Sequence, residues 1–204
     1  MRLVLLAALL LVLAAPSVRA LPAAAQITAA FTALDTSAND AISLQEWDAA
    51  SFALFRAADK NNNNYIDADE LRGTSIAQDT FLRADLDRDG RLSVKEFMEL
   101  RRSIFRIADI DRNDYLSYVE FELLILMEQV GWTDKNNNGR IELSELSDSL
   151  RHAFEELDTN HDGYLIPEEA AYMKPASFKS SDTNHDGKLT VEEFIAGYRA
   201  ALLG

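Results

Sequence analysis

Apolar positions recur along this chain in a fixed frame. Seven times a short run of Asp, Asn, Ser and Gly is preceded and followed by a stretch with helical apolar spacing. Four residues before the run stands an aromatic in six copies (Phe31, Phe55, Phe81, Phe105, Phe154 and Phe178), with Val130 the exception. The eighth residue of each run is aliphatic: Ile42, Ile66, Leu92, Leu116, Ile141, Leu165 and Leu189. The residue just after each run is apolar too: Trp47, Leu71, Phe97, Phe121, Leu146, Ala170 and Phe194. This frame predicts a helix into each run, a helix out of it, and a buried residue inside it that joins runs by short β-bridges.

The runs begin at Asp35, Asp59, Asp85, Asp109, Asp134, Asp158 and Asp182, at steps of 24, 26, 24, 25, 24 and 24 residues. About twelve residues remain between runs, room for one helix that leaves one run and enters the next. Trp47 to Ala58, with its overlapping ends, is such a helix of ~15 residues and ~22 Å. Consecutive runs then sit at opposite helix ends, so the β-bridges are expected between alternate runs, first with third and second with fourth. Two connectors are irregular. Residues 71–84 are longer and contain Gly73-Thr74-Ser75, which predicts a bend and a subdivision into 27–72 and 76–200. Residues 170–181 contain Pro175, which should end or kink a helix near Lys174. The connector 121–132 is apolar on nearly all faces (Leu123, Leu124, Ile125, Leu126, Met127, Val130) and reads as core in preference to a partner groove.

The polar runs have the chemistry of a hard-cation site. In the third, Asp85, Asp87, Asp89 and Ser93 place side-chain oxygens at positions 1, 3, 5 and 9; Arg91 gives a carbonyl at 7, Gly90 allows the turn at 6, and Glu96 closes with two oxygens. Calcium requires six to eight oxygens in a flexible cage, and this spacing supplies them. The first run offers Asp35, Ser37, Asn39, the Ala41 carbonyl, Ser43 and Glu46; the second Asp59, Asn61, Asn63, the Tyr65 carbonyl, Asp67 and Glu70; the fourth Asp109, Asp111, Asn113, the Tyr115 carbonyl, Ser117 and Glu120. These three carry Asp40, Asn64 and Asp114 at position 6, the non-glycine types that best tolerate a left-handed backbone. The fifth offers Asp134, Asn136, Asn138, the Arg140 carbonyl, Glu142 and Glu145; the sixth Asp158, Asn160, Asp162, the Tyr164 carbonyl and Glu169; the seventh Asp182, Asn184, Asp186, the Lys188 carbonyl, Thr190 and Glu193. The sixth has Ile166 at position 9, where water would fill in, and Pro167 at the expected first helical position. Carboxylate count and turn quality rank the third run first, then the seventh and fifth, and the first run last. The competing interpretation of the weaker runs is a calcium-free turn held by Asx hydrogen bonds.

On these motifs the chain resembles the EF-hand superfamily, and its close spacing is similar to exported calsymin-like proteins. The resemblance spans residues 27–200 and implies an all-α EF-hand array of about eight helices, with seven 12-residue calcium loops and short loop-to-loop β-bridges.

Charge and composition narrow the function. Arg2, the apolar run Leu3 to Ala15, Pro16 and the ending Val18-Arg19-Ala20 have the three regions of a signal peptide over residues 1–20, leaving 21–204 as the tandem region. Ala23-Ala24-Ala25 offers a second cleavage point, and an uncleaved anchor is disfavoured because the run is short for a span. Loss of Arg2 and Arg19 leaves 18 basic against 34 acidic residues, a net charge of −16, which argues against nucleic acid and for cations as partners. Seven bound calcium ions would leave about −2. There is no cysteine, hence no disulfide framework, and export to an extracellular or periplasmic space is expected over retention in a secretory lumen. No membrane span is expected after the leader.

The expected function is a non-enzymatic calcium buffer or calcium-stabilised scaffold. The alternative is a calcium sensor that exposes an apolar surface to a protein partner, although Met98, Met127 and Met173 are few for an adaptable groove. An enzyme is disfavoured. The paired carboxylates are explained by the loops, His161 and His185 occupy solvent-facing position 4, and His152 lies on a helix.

Overall fold

The computed structural model describes residues 21–71 and 78–203. The leader expected over residues 1–20 and the bend expected at Gly73-Thr74-Ser75 lie outside the described residues. In chain order the elements are α1 (Ala24–Leu34), β1 (Ala41–Ser43), α2 (Leu44–Ala58), β2 (Tyr65–Asp67), α3 (Ala68–Leu71), α4 (Gln78–Ala84), β3 (Arg91–Ser93), α5 (Val94–Ala108), β4 (Tyr115–Ser117), α6 (Tyr118–Val130), α7 (Leu143–Leu157), α8 (Pro175–Ser181) and α9 (Val191–Leu203). The fold is all-α, with nine helical segments among the described residues, α3 being a single turn.

Single helices do serve two loops. α2, α5 and α7 each have 15 residues, leave one loop and enter the next. Their starts have a local cause. Ser43, Ser93 and Ser117 are N-caps that accept from the N–H of Glu46, Glu96 and Glu120, and each glutamate reaches back to its cap in a capping box. Loop position 9 is thus the N-cap and position 12 the third helical residue, so the residues that close the loop also start the helix. The ends are equally local: the N–H of Asp35, Asp59, Asp85, Asp109 and Asp158 donates to the carbonyl of Phe31, Phe55, Phe81, Phe105 and Phe154 at 2.9 Å, and Asp182 to Phe178 at 3.0 Å. The fifth loop departs. α6 stops at Gly131, whose φ of 88° ends the helix three residues before Asp134.

The eighth residue of all seven loops is buried, at 3% exposure or less, and so is the residue after each closing glutamate where described. The pairing between loops differs from the alternate arrangement. Ile42 faces Leu116, Ile66 faces Leu92, and Leu165 bridges Leu189, so the pairs are first with fourth, second with third and sixth with seventh. The cause is tertiary. α2 packs along α5, with Trp47 against Phe105 and Phe55 against Phe97, and this brings both pairs of the front four loops into register. The fifth loop joins no bridge among the described residues.

The sixth loop also departs from its expected exit. Pro167 does not begin a helix; residues 167–172 form turns, and the next helix begins at Pro175, capped by Lys174. Without a hydroxyl or carboxyl at position 9, Ile166 leaves this exit uncapped. The α6 residues Leu123, Leu124, Ile125, Leu126 and Met127 are all core. No helix among the described residues is long and apolar enough to cross a membrane.

Candidate calcium loops

Every loop folds by the same set of hydrogen bonds, made between its own amides and the side chains singled out as ligands. The position-1 aspartate accepts from the N–H of positions 5 and 6: in the third loop Asp89 N donates to Asp85 Oδ1 at 3.1 Å and Gly90 N to Oδ2 at 3.0 Å. Position 5 accepts from the N–H of position 7, as Asp89 does from Arg91 at 2.8 Å. Glu96 Oε1 accepts from the N–H of Leu86 and Asp87, and its Oε2 from Ser93 N and Ser93 Oγ. The side-chain oxygens of positions 1, 3, 5 and 12 are therefore gathered inside the loop.

The pattern repeats with local changes. Asp35, Asp59, Asp109, Asp134, Asp158 and Asp182 make the corresponding contacts to position 6 at 2.9 to 3.2 Å. Glu46, Glu70, Glu120, Glu145, Glu169 and Glu193 clamp position 3 in the same way. Asn39, Asn63, Asn113, Asn138, Asp162 and Asp186 each accept from position 7, whose residues are Ala41, Tyr65, Tyr115, Arg140, Tyr164 and Lys188. At position 3, Asn61, Asp111, Asn136, Asn160 and Asn184 accept from position 5, whereas Ser37 donates to Asp35. At position 9, Ser43, Ser117 and Thr190 bond the closing carboxylate through N–H and hydroxyl, and Asp67 caps Glu70 N. Glu142 instead accepts from the side-chain amides of Asn136 and Asn138.

The backbone explains why these residue types are needed. Position 6 has positive φ in every loop: 73° to 83° at Gly90, Gly139, Gly163 and Gly187, and 63° to 66° at Asp40, Asn64 and Asp114. The expected left-handed turn is kept without glycine by settling nearer the side-chain-bearing left-handed minimum. Sequence reasoning missed a second left-handed residue at position 4: Ala38, Asn62, Arg88, Arg112, Asn137, His161 and His185, with φ between 55° and 63°. Nothing in Ala38 or Arg88 announces it. The capping boxes were readable as S-x-x-E and T-x-x-E. His152, His161 and His185 are all exposed.

Electrostatics separates the loops. Burial raises the Glu46 carboxyl, but hydrogen bonds from Ser43, Ser37 and Thr36 outweigh it and hold the group at about 2. Hydrogen bonds led by Thr190 N–H hold Glu193 at about 2 as well, and Glu96 is lowered by its bonds despite burial. In the fourth loop the balance reverses. Glu120 is wholly buried, and burial pushes it and Asp109 upward. Oxygens from Asp109, Asp111 and Glu120, and from Asp85, Asp87 and Asp89, each lie within 4.8 Å of one another, a spacing that fits one ion. The position-1 aspartates are buried except Asp134, which is partly exposed.

Comparison with known proteins agrees with this geometry. A family model described as EF hand matches residues 53–73, 77–100, 150–169 and 176–197. These segments contain the second, third, sixth and seventh loops, the two bridged pairs of consecutive loops. The first, fourth and fifth loops lie outside the matches but share their hydrogen bonds. The mitochondrial adenyl nucleotide antiporter SLC25A24 of Mus musculus is 32% identical over 108 residues, 48% of this chain and 19% of the antiporter. The chain thus aligns with about a fifth of that relative's length.

Proposed function

Because the chain belongs to the EF-hand superfamily and binds calcium, we propose that it is an exported, non-enzymatic, multi-site calcium buffer whose own fold is stabilised by the metal. The observation that carries this is the uniform clamp: in all seven loops, acidic and amide oxygens at positions 1, 5 and 12 are held inward by backbone amides. An array so built favours capacity over one specialised site. The leader-like pattern of residues 1–20 supports export, and the surplus of acid supports cation loading.

Calcium would matter to the fold. A site with Kd ~0.1 mM in ~1 mM calcium adds ~1.4 kcal/mol by mass action, and several together rival a whole domain's ~5 to 15 kcal/mol. Metal-stripped protein should therefore melt well below the calcium-loaded form. Equal melting temperatures at low salt would refute the stabilising role.

One observation favours a second reading, a sensor with a protein partner: an apolar cleft of about 370 Å³, lined by Ala23, Ala24, Pro167, Met173, Pro175 and Phe178. A calcium-dependent rise in binding of an apolar dye would support the sensor, and no change would support the buffer.

A further inference from the structure

We propose that a buried polar bridge between α6 and α9 couples calcium binding in the sixth and seventh loops to calcium binding in the first and fourth. Tyr198 Oη donates to Glu122 Oε1 at 2.8 Å, and Tyr198 and Tyr172 hydroxyls meet at 3.1 Å. Each hydroxyl has one proton, so Tyr172 donates to Tyr198 while Tyr198 donates to Glu122. Glu122, Tyr172 and Tyr198 are at most 3% exposed, and Glu122 Oε2 has no hydrogen-bond partner.

Each member is wired to a different loop. Tyr198 packs edge-on against Phe194 at 5.2 Å, and Phe194 directly follows Glu193, the closing residue of loop seven. Tyr172 lies in the exit turn of loop six. Glu122 stands two residues after Glu120, the closing residue of loop four, on the same helix. Tyr118, one turn earlier, meets Thr28 Oγ1 at 3.2 Å and the Phe31 ring at 5.4 Å, which ties α6 to the entry helix of loop one. Lys174 Nζ covers the Tyr118 ring at 3.2 Å, linking that cluster to the loop-six exit.

The bridge has two states rather than a continuum. A buried carboxylate with one bare oxygen tolerates loss of the Tyr198 hydroxyl donor poorly, so the Tyr198–Glu122 bond is either made or the helices part. Both helices are fixed at their first turn by a position-12 glutamate. Moving either glutamate onto calcium displaces one end of a 2.8 Å bond, and that shared element is what two sites can bias together.

The inference rests on calcium binding at loops one and seven, and its test keeps the two apart. Trp132→Phe leaves Trp47, the residue after the closing glutamate of loop one, as the sole tryptophan in residues 21–204. Its fluorescence then reports calcium at the front loops. In this background Glu193→Gln, which disables loop seven, should move the Trp47 midpoint to roughly five-fold higher calcium or more. With Tyr198→Phe added, the same change should move it less than about two-fold. A full shift that persists in Tyr198→Phe, or no shift in the parent, overturns the bridge. Should Tyr198→Phe fail to fold, Glu122→Leu removes the same bond from the α6 side and must equally reduce the shift; an undiminished shift there overturns the proposal. No calcium response at saturating metal would overturn the binding itself, and the bridge with it.

Discussion

Replacing Gly90 tests the idea that position 6 is conformational rather than steric. Gly90 sits at φ 81°, and a methyl group built there meets no atom within 4 Å. The penalty for a side chain is then only that of the left-handed backbone, roughly 1–2 kcal/mol for an ordinary residue and less for Asn. Against it stands the reduced freedom of the unfolded chain, worth ~0.4–1 kcal/mol. Gly90→Ala should therefore cost about 1 kcal/mol, Gly90→Asn close to nothing, and Gly90→Val more than either. The converse follows: Asn64→Gly, which restores the glycine to loop two, should not stabilise the protein, because Asn64 already rests at φ 66°. Thermal melts of metal-stripped protein resolve this, since 1 kcal/mol moves Tm by about 2–4 °C at this size. A penalty for Asn as large as for Ala, or losses above ~3 kcal/mol that grow with side-chain volume, would refute it.

Three further outcomes follow. Gly197→Ala should cost roughly 1–3 kcal/mol in urea unfolding, because the new methyl would lie 2.8 Å from Ser181 Cβ between α9 and α8, and Ser181→Gly should restore most of it. Arg101→Met should leave the urea midpoint unchanged or raise it, since Arg101 is wholly buried, its side chain hydrogen-bonds among the described residues only Ser51, through Nε at 3.2 Å, its two Nη atoms have no partners there, and its stacking on the Trp47 ring at 4.2 Å is a contact a thioether can keep; a loss above ~2 kcal/mol would contradict this. Metal-stripped protein should be most stable near pH 4.5 to 5 as far as three groups decide it. Burial raises Glu122 to about 7, so its contribution is full below its ordinary 4.5 and lost as pH rises through 7; Glu46 and Glu193, held at about 2, contribute above 4.5 and lose it as pH falls toward 2. Glu122→Gln should flatten the neutral limb of the melting profile.

Much of the fold was legible because each loop is a local solution. The aromatic four residues before Asp85, the aliphatic Leu92 and the exit residue Phe97 are set by one loop's own hydrogen bonds, and all proved buried. Shared helices followed from the 24-residue step. What the sequence could not rank was partner choice between loops. Every loop offers the same aliphatic position 8, so Ile42 could pair with any of six others, and only the packing of α2 on α5 selects Leu116. The fifth loop shows the reverse. Its ligand set looked strong, yet Val130 in place of an aromatic and Gly131 after it already marked the broken entry. The Tyr198–Glu122 bridge spans 76 residues, and no local signal announces it.

The most direct test of a seven-loop calcium array is a calcium titration by calorimetry of residues 21–204. Seven loops that share one clamp should bind more than four ions per chain, approaching seven, with most affinities in the ~10⁻⁴ to 10⁻³ M range of extracellular modules. Saturation at four ions or fewer would contradict the array, and uniform micromolar affinity would contradict the buffer.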